Sequence, residues 1–469
     1  MISKEELRKH SKDKLVDLLY DLYLKVDKLT KEVQELSEEV KMHKTPKNSG
    51  NSSLPPSHDL YRLKNQSLRE TSNKKTGGQP GHKGETLLMS PNPDKTIDHL
   101  PNEKCPQCGK EHTDLPSQII GKRQVIDIPI IKAIVIEHRI IQTTCTCGYI
   151  GTGNFPSNVT APVQYGNNLI GLVAYLSSRQ YVPYARLSEL INSITNISIS
   201  QGTIFNILNK VANIVLPIYE GIKEEISKAT TVGGDETGVK VKKQKFWAWT
   251  WQTLFATYIV ISKTRGFITV INTFPNGFTY ATYVSDSLSA QLKTFAKRHQ
   301  LCLAHLLREL KYFEQLLHLK WATDMKVLLQ RAIKLKNSMT PEQYNEPLEE
   351  RNAILRKFEI LINTTLPEKA SKIYPFQNRL QKRKDQVFNF LFYPDVPYDN
   401  NGSERAIRNV KVKQKVSGNF RSERGSEIFA ILRSVFDTII KKGGNPFETI
   451  RFAINLSVAK KEFLINKQR

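Results

Sequence analysis

Long apolar runs are missing from this chain. No stretch approaches the roughly 18 residues that a membrane span needs, and the opening residues, MISKEELRKHSKDK, lack the apolar core of a signal peptide. Cysteine is scarce as well. Four of the five cysteines fall in two tight pairs, which is not the layout of a disulfide framework, so a reducing cytoplasm and no membrane partner are expected. Acid is in deficit: 45 Asp and Glu stand against 69 Lys and Arg, a formal net charge of +24. An excess of that size favours a polyanionic partner, and nucleic acid before a membrane, because no amphipathic basic helix or lipidation motif is present. Richness in Lys, Asn and Ile would raise the charge without any binding role, but the cations cluster. Between Arg405 and Lys442 ten basic residues face three acidic ones.

At 469 residues the chain has room for several domains. Its composition divides it into a multidomain α+β protein. Residues 1–43 carry a heptad, with Leu15, Leu22, Leu29 and Leu36 seven apart and Leu19, Val26, Val33 and Val40 at the alternating position. Valine at one core position and leucine at the other favour a parallel two-stranded coiled coil, hence a homo-oligomer; a helix docked on its own chain is the alternative. Residues 44–100 form a Pro/Ser/Gly linker made basic by Lys64, Arg69, Lys74, Lys75 and Lys83. It would lie along phosphates or serve as a tether.

Residues 101–155 hold Cys105-Pro-Gln-Cys108-Gly and Cys145-Thr-Cys147-Gly. Two such turns present four thiolates, the tetrahedral set that structural zinc prefers. Lys122–Pro129 and Lys132–Thr143 read as β-strands between them, giving a zinc-ribbon-like β module. His112 or His138 could replace one thiolate, and a redox pair is the competing reading. Residues 160–228 turn helical. Tyr184–Ile194, a turn, and Ser200–Ala212 resemble a helix-turn-helix in which Ser200 caps the second helix and Gln201, Thr203 and Asn206 would sit near a DNA groove.

From residue 229 to 442 strands alternate with helices, with a polar all-α insertion at about 311–390, and residues 443–469 close the chain with a helix. Trp247, Trp249 and Trp251 alternate and so share one face, which suits core packing. TTVGG leads into Asp235, and FTYATYVS leads into Asp286, so each aspartate is expected at a strand end. Glu404 opens a probable helix, with Asn401 three residues before it in a capping-box pattern. Arg405, Arg408, Lys411, Lys413 and Lys415 follow, then Arg421 and Arg424, and a second helix starts near Ser426. Two strand-end aspartates and one helical glutamate could hold two magnesium or manganese ions about 3.5–4 Å apart and so cut or join phosphodiesters. A lone strand-end Asp is more often a turn residue; the basic surroundings argue for chemistry.

The blocks DETGVKV, Arg265-Gly266, VSD, HQLCLAHLLREL and NNGSERAIRNVKVKQKVSGNFRSERGSEIFAILRSV resemble the insertion sequence 66 family of bacterial DDE transposases. So do SSLPPSHD, GGQPGHKGETL, the zipper and the paired cysteines, in the same order. The resemblance implies an RNase H-like α/β catalytic core with Asp235, Asp286 and Glu404 as its metal-holding catalytic acids. It implies a bacterial, nucleoid-associated enzyme that cuts double-stranded DNA at the element's terminal inverted repeats and joins the freed ends to target DNA, with or without accessory element proteins. Cys302 and His305 match a Cys-x-x-His element of that family; zinc there is conceivable, and a helix packed beside the acids is favoured. Arg308, one turn on, could reach a phosphate, and Arg405, Arg408, Lys411, Lys415 and Arg421 would grip DNA. A non-catalytic DNA-binding regulator and a structure-specific nuclease are the alternatives.

Overall fold

The structure, a computed structural model, describes residues 11–44, 47–48, 51, 81, 87–100, 103–111, 118–156 and 158–468. Lys64, Arg69, Lys74, Lys75, Lys83 and His112 lie outside them. Helix α1 (Lys12–Lys44) carries the heptad, and Leu22, Val26, Leu29, Val33 and Leu36 along it are exposed. Among the described residues no helix is long and apolar enough to cross a membrane.

The strands expected over Lys122–Pro129 and Lys132–Thr143 do not form. Residues 118–141 run exposed and without a ladder, and only β1 (Gln142–Thr144) pairs, antiparallel to β2 (Ile150–Thr152). The alternating Ile and Val of this stretch have strand character, but a strand needs a neighbour to take up its N–H and C=O groups. Within the described residues the first such bond comes at Ile141, whose carbonyl accepts from the Gly153 N–H at 3.0 Å.

From residue 167 the chain is closely packed. Helix α2 (Asn167–Ala174) runs into a π turn at Tyr175–Arg179, and α3 (Tyr184–Thr195) and α4 (Gln201–Ser227) follow. Ser200 does cap α4, its Oγ accepting from the Thr203 N–H at 3.1 Å. A five-stranded mixed sheet comes next: β3 (Thr231–Val241), β4 (Gln244–Gln252), β5 (Thr257–Ser262), β6 (Phe278–Ser285) and β7 (Ala296–Leu301), in the order β5-β4-β3-β6-β7. The first three are antiparallel neighbours, and β6 and β7 run parallel to β3. Short helices α5 (Phe267–Thr273) and α6 (Ser289–Leu292) bracket β6. Then come α7 (Leu303–Leu317), α8 (Lys320–Ser338), α9 (Glu349–Asn363), α10 (Tyr374–Lys382), α11 (Asn401–Ser417), α12 (Glu423–Lys441) and α13 (Pro446–Gln468).

Side-chain alternation along β4 gives the sheet its main core. Trp249 and Trp251 are fully buried and stacked, and they pack with Phe274, Phe278, Tyr283 and apolar faces of α2, α4 and α12. Trp247, at the end of the row, is only partly buried. Helices α7 to α10 build a second core of their own around Leu310, Met325, Phe358 and Phe376, joined to the sheet through Val284 and Leu301. Edge strand β5 is covered by α12: the Thr257 and Ile259 N–H groups donate to the Thr438 and Ser434 hydroxyls at 3.1 and 2.9 Å. That closes an edge open to strand addition.

Two local expectations are corrected. Helix α12 begins at Glu423, ahead of Ser426, because the Ser422 hydroxyl caps it by accepting from the Gly425 N–H at 2.9 Å. The capping box at α11 is absent: Asn400 is the cap residue and makes no side-chain cap bond, its amide being drawn to the sheet instead.

The crossing of β3 and β6 depends on Gly234, where an added Cβ would lie 1.9 Å from the buried Tyr283 Oη. Gly234→Ala must displace that ring, and we expect a loss of about 1–3 kcal/mol in urea denaturation. An unchanged midpoint would show that the ring has room to turn away.

Candidate active site

Asp235 does not end its strand. It sits inside β3, which continues to Val241 because its antiparallel pairing with β4 reaches from Gly233 to Val241. What ends near Asp235 is the parallel pairing with β6, whose register runs Thr231↔Thr282, Val232↔Tyr283, Gly233↔Val284. Continued by two residues, that register brings Asp235 level with Asp286, the residue after β6. Each aspartate is tethered locally: Asp235 Oδ1 accepts from the Glu236 N–H at 2.8 Å, and Asp286 Oδ1 from the Leu288 N–H at 2.9 Å.

Helix α11 lies across β3 and β4 and carries Glu404. Its approach is close: a Cβ on Gly402 would meet the Gln252 amide at 2.3 Å. Asn400, buried, fixes the entry. Its Nδ2 donates to the Gly234 carbonyl at 2.6 Å, its Oδ1 accepts from the Ser403 hydroxyl at 2.7 Å, and its N–H donates to Cys302 Sγ at 3.2 Å. Cys302 in turn is the cap residue of α7, its N–H donating to the Ser285 carbonyl at 2.9 Å, next to Asp286. Burial pushes its thiol up to about 12. The Cys-x-x-His element thus joins the ends of β6 and α11, a packing role that asks for no metal.

His305 and Arg308 rise from α7 toward the acids. Arg308 Nη2 stands 3.6 Å from Glu404 Oε1, and its Nη1 is 3.3 Å from His305 Nε2. Burial and then the Arg308 charge hold His305 below the ordinary histidine range, against the pull of Asp286 and Glu404. An arginine only donates, so in this contact His305 Nε2 is the acceptor, while its buried Nδ1 has no hydrogen-bond partner. Asp235 is held well above the ordinary carboxylate range by burial first, then by repulsion from Glu236, Asp286 and Glu404. That repulsion ties the three predicted acids into one neighbourhood. Glu404 Oε1 is buried and accepts no hydrogen bond. Among the described residues, however, no three Asp, Glu, His or Cys side chains converge closely enough to hold a metal ion as they stand.

Sequence reasoning overlooked Glu236. It points to the opposite face from Asp235, toward the tryptophans. There Arg265 Nε and Nη2 donate to its Oε1 at 2.9 and 2.7 Å, and Gln291 donates to Oε2. Burial, followed by the Asp286 charge, raises its carboxyl to about 7 despite the arginine. Arg265 is stacked on Trp247, 4.8 Å from the ring centroid. The adjacency of Glu236 to Asp235 was the one signal available in sequence.

The predicted cations separate into two groups. Arg405, Arg408, Lys415 and Arg421 are exposed, and the first three share a face of α11. Lys411 is a correction: its Nζ donates to the Gly238 carbonyl at 2.8 Å, so it pins α11 to β3. Lys413 is also turned inward, and burial lowers it to about 8. Arg424 is engaged with Asn209, Asn213 and Glu427. On α4, Gln201 and Asn206 are exposed, while the Thr203 hydroxyl is shared with Ser200.

Far along the chain from the acids, the two cysteine turns close in a similar way, the second shorter by one residue. The Gly109 N–H donates to the Cys105 carbonyl and the Gly148 N–H to the Cys145 carbonyl, both at 2.9 Å, with both glycines at positive φ. The thiols of Cys108, Cys145 and Cys147 are exposed, and Cys105 is half-buried. His138 is exposed.

The profile of the Transposase IS66 family matches residues 162–428, more than half of the chain. The chain belongs to that family. The match spans all three acids, the helices before the sheet and the helical insertion. A transposase of this family acts in DNA transposition, and DNA is accordingly its partner in general terms. None of the curated proteins matches the chain.

Asp235 and Glu236 both bind their proton more tightly folded than unfolded. Stability from such groups is fully present below their unfolded values and is lost as pH climbs through the folded ones. For Glu236 that window runs from 4.5 to about 7. Denaturation across pH should show stability falling over this window, with a shallower fall in Glu236→Gln. An equally steep fall in the variant would assign the titration to other groups.

Proposed function

We propose that this chain is a DDE transposase that cleaves DNA at its element's ends and transfers the freed strands, with Asp235, Asp286 and Glu404 as the catalytic acids. The observation that carries this is the β3/β6 register, which levels the two aspartates on neighbouring parallel strands, while α11, lying across β3 and β4, carries Glu404. The mixed order β5-β4-β3-β6-β7 supports an RNase H-like core.

A divalent cation fits the chemistry of this site, because the carboxylates crowd one another and Glu404 Oε1, 3.6 Å from Arg308, accepts no hydrogen bond. Magnesium or manganese held by the three acids would activate a nucleophilic oxygen and stabilise the leaving one. The chain's own residues do the rest. Asn400 and Cys302 orient the start of α11; Arg308 shields Glu404 until the acids are drawn together. Arg405, Arg408 and Lys415 present a cationic row for phosphates beside the cut, and Arg421 extends it. Gln201, exposed at the start of α4, would meet the element end.

The test is cleavage and joining on labelled DNA bearing the gene's own flanks, with magnesium or manganese. Asp235→Asn should lose cleavage by a factor of about 10³ or more while binding the ends as tightly as the unmodified chain. Undiminished cleavage would sink the assignment. Tight binding without cleavage by the unmodified chain would instead favour a regulator or a missing accessory protein.

The N-terminal part we read as an assembly and zinc module. The exposed Leu/Val stripe of α1 suits a parallel coiled coil. The twin cysteine turns suit one zinc ion, with Cys105, Cys108, Cys145 and Cys147 as ligands once brought together. Native mass spectrometry checks both: two chains, each with one zinc, for the unmodified protein. Leu22→Glu with Leu29→Glu should give single chains that keep zinc. A double variant that stays dimeric, or chains without zinc, would remove the corresponding half of this reading.

A further inference from the structure

Two features outside the acids have no role so far. One is the π turn at Tyr175–Arg179, followed by Tyr181 at φ +61, a left-handed conformation that is costly for a bulky residue. The other is an ion pair buried within α12, Arg433 with Asp437. Such outliers concentrate where function needs them, and here they meet.

Tyr181 Oη donates to Asn409 Oδ1 at 2.8 Å. Asn409 Nδ2 donates to Asp437 Oδ2 at 3.4 Å, and that carboxylate also accepts from Arg433 Nε at 3.0 Å and from Nη2. Arg433 Nη1 reaches the Arg179 carbonyl at 3.5 Å, and its guanidinium lies over the Tyr181 ring, 5.2 Å from the centroid. The circuit closes on itself and joins three elements: the turn between α2 and α3, helix α11, and helix α12. One turn further along α11, the Lys413 ammonium stands over the ring of Tyr184, the first residue of α3. A buried ion pair adds little net stability, but it fixes geometry.

Asn409 belongs to the helix that carries Glu404. In this structure Glu404 faces Arg308, and the three acids are near one another without being gathered. Gathering them takes a shift of α11 or of the acids' own side chains, and α11 is fastened to the turn before α3 through Asn409.

We propose that Tyr181 and Asn409 are positioning residues, through which helices α2 to α4 set the place of α11 and so bring Glu404 to Asp235 and Asp286 when DNA is bound. This rests on the reading of those acids as catalytic and of the preceding helices as a DNA-contacting region.

The test uses the full chain and duplex DNA bearing the gene's flanks. Tyr181→Phe removes one hydroxyl. It should leave end binding within about twofold and lower metal-dependent cleavage by about tenfold to a hundredfold, the scale of a misplaced catalytic group. Asn409→Leu should do the same, and the double variant should be no worse than the poorer single, as for two members of one circuit. A merely structural role would weaken binding and cleavage together. Cleavage at the unmodified rate by Tyr181→Phe, with Asp235→Asn inactive, would overturn the coupling and leave the acids in place. Cleavage by Asp235→Asn would instead overturn the reading of the acids. Hydrogen exchange gives a readout independent of turnover. DNA should change the protection of amides 401–417 in the unmodified chain and not in Tyr181→Phe; the same response in both, or none in either, overturns the proposal.

Discussion

The buried amide of Asn400 decides where α11 meets the sheet, and the rest of the site follows from it. With no side-chain cap bond to its own helix, Asn400 spends its donor on the Gly234 carbonyl and its acceptor on Ser403. A buried amide satisfied on both sides cannot be shifted without leaving polar groups unpaired. Gly234 precedes Asp235, and Glu404 lies one helical turn beyond Asn400. A single side chain thus spans the gap between two of the acids. The Asn400 N–H on Cys302 Sγ extends the same constraint to α7, and from there to the end of β6.

Charge works against that constraint. Four carboxylates crowd the C-terminal side of the parallel strands, and the cations nearby are engaged one to one, Arg265 with Glu236 and Arg308 with Glu404. The consequence is the raised proton affinity of Asp235 and Glu236. A site of this kind is held together by packing in spite of its charge. Added positive charge, from a metal or from an arginine brought closer, is the natural relief.

The sequence made part of this legible. Strand and helix patterns framed Asp235, Asp286 and Glu404, but spacing alone does not select three acids from 45; the family resemblance singled them out, and the separation of 51 positions between the aspartates equals the β3/β6 register offset. The tryptophan row was readable for the same reason, since alternation fixes the face. Position within β3 was not readable: DETGVKV continues a hairpin, and only the pairing with β4 shows where the strand stops. The basic run of α11 is plain in the sequence, but the helical period sorts its cations, sending Lys411 to a carbonyl and Lys413 to an aromatic ring. The stretch 118–141 misled in the other direction, because an alternating pattern states a preference for pairing and does not supply the partner. Nothing local announced the Tyr181–Asn409 contact, which joins residues 228 apart.

The two halves of the chain present opposite situations. Residues from 167 on bury most of their apolar side chains in three clusters and cover the edge of β5. Before that point, α1 shows a stripe of Leu and Val to solvent, and residues 119–141 expose Ile120, Val125, Ile130, Ile134 and Val135 almost fully. Apolar surface on that scale is unfavourable in water and marks contact with another surface. The apolar residues of α1 recur every three or four positions, a period that calls for a second helix; those of the extended stretch alternate more nearly by two, a period that calls for a strand. The partner demanded by each is therefore different in kind, and a single coiled coil would satisfy only the first. Among the described residues, the side chains that carry these two periods in α1 and in residues 118–141 are left exposed.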